Sequence, residues 1–169
     1  PDFNNLSRDC SNGPILSSHY DSLPSKYNDY EWLHSVYTMD GSTILGWIHM
    51  EVHGGLSESL CPAGGDNSCG YGAITFCSST DTGRSYSHAA APGHLFASAP
   101  YTYSSTEGPS GYLNPSNIVH SPIDGYYYMM VNMAARGQQQ EGVGLLRTLT
   151  PADPSSWRGW DGSGFSVTM

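Results

Sequence analysis

The residues best placed to do chemistry lie in HMEVHGG, residues 49–55. His49, Glu51 and His53 recur at every second position. A helix would scatter them, whereas a strand puts all three on one face. Three roles fit such a face. Two imidazoles and a carboxylate are suitable ligands for Zn2+ or Fe(II). Glu51 could instead protonate a glycosidic oxygen as a general acid, given a second carboxylate ~5–9.5 Å away. The third role is plain mutual hydrogen bonding at a strand end. The helical HExxH spacing is absent, so a metal at His49, Glu51 and His53 is the least favoured role and no cofactor is implied.

Asp29 and Glu31 are the candidate partner carboxylates, base or modulator to Glu51, with Glu107 a weaker one. Trp32 is the tryptophan best placed to serve as a sugar platform beside His49 and His53. Asn114 and Asn117 could bind sugar hydroxyls or fix the loop before a strand. Arg136, in RGQQQEG, could hold the carboxylate of an acidic sugar or lie in a solvated loop. Tyr126, Tyr127 and Tyr128 read as packing more readily than as stacking platforms. Trp47, Trp157 and Trp160 read as core. No G-x-S-x-G elbow and no glycine-rich phosphate loop is present, so nucleotide chemistry has no support.

These residues need strands to position them. EWLHSVYTMDGSTILGWIHMEV reads as two β-runs joined at Asp40-Gly41, a hairpin signal. YGAITFCSSTDTGRSYSH reads as strand, turn, strand. A second hairpin turns at Asp124-Gly125, 84 positions after the first (124 − 40). GVGLLRTLTPADPSSWRGWDGSGF then gives a strand, a capped turn at Thr150-Pro151 and a last strand. Each half is thus a four-stranded antiparallel unit, the layout of one propeller blade. The expected fold is all-β, a β-propeller portion of about two blades. Residues 1–30 form an irregular arm, 31–90 the first blade, 91–115 a connection and 116–169 the second blade. A β-sandwich is the alternative. Residues 73–77 and 126–131 are apolar on both faces, which favours blades covered on both sides. In a blade, the start of the first strand and the end of the second share the ligand-bearing face. That gathers residues 29–32 with 49–53, and 114–117 with 132–136.

Composition narrows the function classes. Asp+Glu is 15 against Lys+Arg 6, a formal charge of -9. Phosphate contacts come from Lys and Arg, so nucleic acid and anionic membrane surfaces are disfavoured as partners. No apolar run reaches the ~20 residues of a membrane helix. Cys61 and Cys69 bracket a short polar loop that closes easily, which predicts a disulfide. Cys77 lies in an apolar strand as a small hydrophobe, and Cys10 sits in a polar segment without an evident partner. Asn5-Leu6-Ser7 has the form of a glycosylation sequon at Asn5. Together these features predict an extracellular or secreted location. The start at Pro1 reads as a processed form or a piece of a longer chain.

Ser79-Thr80-Asp81-Thr82-Gly83-Arg84-Ser85-Tyr86 resembles the Asp box, S-x-D-x-G-x-[ST]-[WFY], of sialidase-like propellers. In that family the box is a turn between the third and fourth strands of a blade, a fold marker rather than a catalytic one. NPSNIV, DGYYYMMVN, GLLRT and DPSSW extend the likeness to five-bladed glycoside hydrolase propellers, over residues 31–165 by blade layout. The resemblance implies a carbohydrate-active propeller that acts on or binds extracellular glycans. The alternative is a non-catalytic structural or binding propeller. Sialidases hold a carboxylate with three clustered arginines, and no pattern here groups three. Two blades cannot close a ring of ~4–8, so the resemblance also implies further blades or a partner chain.

Overall fold

The computed structural model describes residues 11–53, 60–62, 64, 66–106, 108–134 and 140–169. The expectations placed on Asn5, Cys10, Glu107 and Arg136 fall outside them. The described residues form an all-β chain. Its strands are β1 (Tyr30–Tyr37), β2 (Ile44–Val52), β3 (Tyr71–Ser79), β4 (Leu95–Ala97), β5 (Ser110–Leu113), β6 (Val119–His120), β7 (Tyr127–Ala134), β8 (Gly142–Thr148), β9 (Arg158–Trp160) and β10 (Phe165–Thr168). One helical turn, Asp66–Cys69, precedes β3. All ten strands join one mixed sheet ordered β1-β2-β3-β5-β7-β8-β9-β10, with β4 on β3 and β6 on β7. The sheet is open, with β1 and β10 as its edges. Closed propeller blades are not what this arrangement alone defines.

The two expected hairpins form. Asp40 accepts from the N–H groups of Ser42 and Thr43 at 2.8 Å each, and Gly41 takes φ 76°. Asp124 accepts from the N–H of Tyr126, and Gly125 takes φ 74°. Both glycines adopt the left-handed conformation that a tight turn asks of its second residue. The turn at residues 79–85 is built on Asp81, which accepts from the N–H groups of Arg84 and Ser85 and from the hydroxyls of Ser79 and Ser85. Those bonds hold Asp81 far below the usual carboxylate range. The β9–β10 turn repeats the device. Asp161 accepts from the N–H groups of Ser163 and Gly164 and from the hydroxyls of Ser163 and Ser166.

Among the described residues all sheet pairings are antiparallel except one. β3 and β5 run parallel through Tyr71–Ser110 and Gly72–Gly111. This junction joins two units of the sheet, β1–β4 and β5–β10. A Cβ on Gly111 would lie 2.0 Å from the Gly72 carbonyl oxygen, and one on Gly72 would lie 2.0 Å from Leu113 Cδ2. Glycine is what lets these backbones approach.

The stretch expected as a plain connection, residues 91–115, contains β4 and β5. Only one bridge, Ser78–Ser87, continues the first unit directly after the Asp81 turn. The chain then loops out and returns as β4. The two-sided burial expected of β7 also fails: β7 alternates, with Met129 and Val131 buried and Met130 51% exposed. Among the described residues nothing packs over its outer face strongly enough to bury Met130. β2 and β3, in contrast, are buried on both sides.

One core lies along the seam between the units. Trp47 of the first meets Trp157 of the second, both fully buried, with ring centroids 5.9 Å apart. Phe96 packs on both. A smaller core of Met50, Val52, Tyr71 and Ala73 covers the opposite face of β2 and β3. Cys61 and Cys69 form the expected disulfide, and Cys77 is a buried free thiol. Burial pushes the Cys77 thiol up to about 12, which leaves it unreactive. No helix among the described residues is long and apolar enough to cross a membrane.

Candidate functional site

Register decides which side chains share a face. Tyr30 pairs with Glu51 and Trp32 with His49, so these four project together with His53. The same face of β2 carries Trp47 two residues earlier. The polar cluster therefore caps the seam between the two units, directly beyond its aromatic core.

Glu51 is the hub. Its Oε1 accepts from His49 Nε2 and its Oε2 from His53 Nε2, each at 2.8 Å. His49 Nδ1 reaches across the seam and accepts from the N–H of Asn114 at 3.1 Å, with the Asn114 side-chain oxygen 2.8 Å away. Asn114 adopts φ 51°, a left-handed turn that swings its amide toward His49. The bond from His49 lowers the Glu51 pKa, partial burial opposes it, and the bond from His53 adds to the lowering. Glu51 is thus held ionised. A general acid needs the opposite shift, so this carboxylate suits a base, a nucleophile or a hydrogen-bond acceptor. That departs from the general-acid role expected of it.

Of the two expected partner carboxylates, Glu31 is placed elsewhere and Asp29 lies at the edge of the cluster, beside His53. Glu31 lies one residue from both Tyr30 and Trp32, so strand alternation sends it to the opposite face, beside Met50. It is 5% exposed and does not meet Glu51. Asp29 is buried at the end of β1, where its Oδ2 accepts from the N–H of His53 at 3.0 Å. It anchors the strand end that presents His53. Asn117 is exposed three residues past Asn114, and among the described residues no hydrogen bond ties its side chain to the cluster.

Several participants carried no motif in the sequence. Tyr30 stacks on His53 at 4.2 Å between centroids and 19° between planes, and it lies 6.0 Å from Trp32 at the same angle. Tyr20, from the N-terminal arm, meets Tyr30 edge-on at 5.0 Å. Trp32 is 44% exposed. The result is an aromatic shelf against the ionised Glu51. A bulge at His34 in β1 turns that ring toward His49, 6.0 Å away, and its Nδ1–H donates to the Pro115 carbonyl at 2.8 Å. On the other side of Glu51 a cavity of about 290 Å3 opens, lined by His53, Tyr71, Ser110 and Leu113 among others. That is near the lower end of the ~300–1,000 Å3 of ligand pockets. The helical turn that ends in Cys69 leads straight into the Gly70–Tyr71 wall of this cavity.

A second polar cluster occupies the face of β1 that Glu31 enters. It contains His19, Glu31, His88 and His94. Sequence alternation separates Glu31 from Glu51, but nothing local in the sequence announces that residues 19, 88 and 94 converge on it.

Comparison with family models, with curated proteins and with solved structures finds no match for this chain. Fold and site together define an all-β protein on one open mixed sheet. Its seam ends in an ionised carboxylate between two imidazoles, flanked by exposed aromatic rings.

Proposed function

We propose that this chain is part of a carbohydrate-active, secreted β-propeller that binds a glycan at the Trp32–Tyr30–His53–Glu51 face. One observation carries the reading: a near-parallel Tyr30–Trp32 pair, with Trp32 half-exposed, stands beside an ionised acceptor, Glu51. A sugar ring offers an apolar C–H face to an aromatic plane and hydroxyl donors to a carboxylate. His53 and Asn114 supply further polar groups at the same place. The adjoining cavity suits about one ring.

Two repeats support the propeller part of the reading. The Asp40 and Asp124 hairpins recur, and so do the Asp81 and Asp161 turns, each in the same order within its half. The open sheet edges and the exposed Met130 side of β7 suit further blades, from more chain or from a partner. The Cys61–Cys69 disulfide agrees with an oxidising compartment.

If the protein also hydrolyses its ligand, Glu51 acts as base or nucleophile, since its proton is already displaced. The test is binding of a panel of neutral and acidic oligosaccharides by calorimetry, with aryl glycosides assayed in parallel. Trp32→Ala is expected to weaken binding by about tenfold or more, the scale of one lost stacking contact, at unchanged melting temperature. Wild-type protein that binds no oligosaccharide, or a Trp32→Ala variant that binds as well, would sink the proposal. Release of aryl alcohol that vanishes in Glu51→Gln would make it an enzyme.

A further inference from the structure

Two imidazoles and a carboxylate meet a second time in this protein, behind the face just described. The Glu31 side chain is fully buried. His19 Nδ1 lies 2.8 Å from Glu31 Oε2, and His88 Nε2 lies 3.3 Å from Glu31 Oε1. The chemistry of His88 makes the second contact unusual. Its Nδ1 is 2.7 Å from the Ala89 carbonyl, which can only accept, so Nδ1 carries the proton. A neutral His88 then turns the bare lone pair of Nε2 toward the Glu31 carboxylate. Both atoms are buried, and their 3.3 Å contact is an ion-pair distance that lacks good hydrogen-bond geometry, with no other polar partner for either among the described residues. Two facing lone pairs repel unless a cation lies between them, either a proton that makes His88 an imidazolium or a metal ion, and the poor hydrogen-bond geometry at 3.3 Å favours the larger ion.

We infer that His19, Glu31 and His88 form a binding site for a divalent transition metal, with Zn2+ the best fit. The ligand atoms of the three residues all lie within 4.8 Å of one another. Two imidazoles and a carboxylate are a donor set that Zn2+ and Fe(II) accept, and Zn2+ tolerates three protein ligands with water in the fourth place. The outer contacts are those a ligating histidine uses. The Nδ1–H bond to the Ala89 carbonyl fixes the tautomer that frees Nε2. Ser18 brackets Glu31 from the arm: its hydroxyl accepts from the Glu31 N–H at 2.9 Å and donates to the Glu31 carbonyl at 3.3 Å. His94 stacks on His88 at 4.3 Å and 19°, and its Nε2–H is spent on the Tyr27 carbonyl at 2.9 Å. Parallel rings cannot both point a lone pair at one ion, so His94 is a positioning residue. His19 is half-exposed, and a cavity of about 380 Å3 runs along His88 and His94, so an ion can reach the site.

The cluster at Glu51 makes the contrast. There both carboxylate oxygens accept imidazole N–H groups at 2.8 Å, whereas at Glu31 only Oε2 has such a bond, from His19. The inference does not rest on the glycan reading.

The test uses the full chain, stripped with a chelator and dialysed. Zinc chloride is titrated by calorimetry, and metal content is measured on the reloaded protein. About one Zn2+ per chain is expected, together with a rise in melting temperature. His19→Gln should weaken binding at least about tenfold, and Glu31→Gln and His88→Gln should abolish it. His53→Gln should leave it unchanged. His19 lies half in solvent, so His19→Gln keeps the test readable even if the two buried variants fail to fold. Cobalt loading gives a second readout, a visible d–d band absent from His19→Gln. No binding by wild type would overturn the site and make His88 a buried imidazolium. Equal affinity in His19→Gln, or loss of binding in His53→Gln, would overturn it as well.

Discussion

Glu51 answers to acid in a way its two imidazole bonds dictate. Its folded pKa lies below the ordinary 4.5, chiefly through His49. Above 4.5 both folded and unfolded chains carry it ionised, and its contribution to stability is complete. As pH falls below that value the unfolded chain takes up the proton first, and the contribution fades down through the folded pKa. Glu51→Gln should therefore melt lower than wild type at neutral pH, and the gap should narrow as the buffer drops below 4.5. Melting curves of both proteins across that range check it; a constant gap would deny the ionic bond. In the folded chain Tyr30 stands opposite Glu51. The sequence reading instead sets Glu31 beside Glu51, and the register that separates them depends on the bulge between Leu33 and Ser35, which no local signal marks. The convergence of His19 and His88 on Glu31 was not legible, because it depends on the path of the N-terminal arm and of the loop before β4, neither of which has a period.

At the scale of elements, the parallel β3–β5 link deserves its own experiment. Only two residue pairs make it, and it works because Gly72 and Gly111 leave no side chain between the backbones. Gly111 also takes φ 99°, so any other residue is strained there even without the clash. Gly111→Ala is expected to cost at least about 2 kcal/mol, read from the midpoint of a denaturant titration. Gly13→Ala, which meets nothing within 4 Å, should cost little and serves as the control. The hairpins were legible because Asp-Gly turns and alternating apolar runs are local signals. β4 and β5 were not, because short strands in a Pro- and Ser-rich stretch are held by partners distant in sequence. β7 reads as apolar on both sides, yet the residues that would bury Met130 are not among those that pack here.

For the whole molecule, the seam core argues that the two units fold together. Trp47 and Trp157 are contributed by different halves and bury each other. Trp157→Ala removes the largest shared side chain and should cost about 3–5 kcal/mol. Unfolding followed by fluorescence and by circular dichroism should give coincident transitions in wild type. Two separate transitions would show that each half stands alone. The all-β class and the two Asp-Gly hairpins were legible, but the seam was not, since which tryptophans meet depends on how the two parts of the sheet dock.

Residues 30, 31 and 32 alternate between two clusters, so three consecutive residues of β1 serve both. Any ligand that stiffens or shifts this edge strand from one side does work on the other. Thermodynamic linkage then requires symmetry: by whatever factor an ion at Glu31 alters affinity at Trp32, a ligand at Trp32 alters affinity for the ion. Where a change on one face leaves the strand unmoved, as His53→Gln should, that factor is one and the two faces act independently.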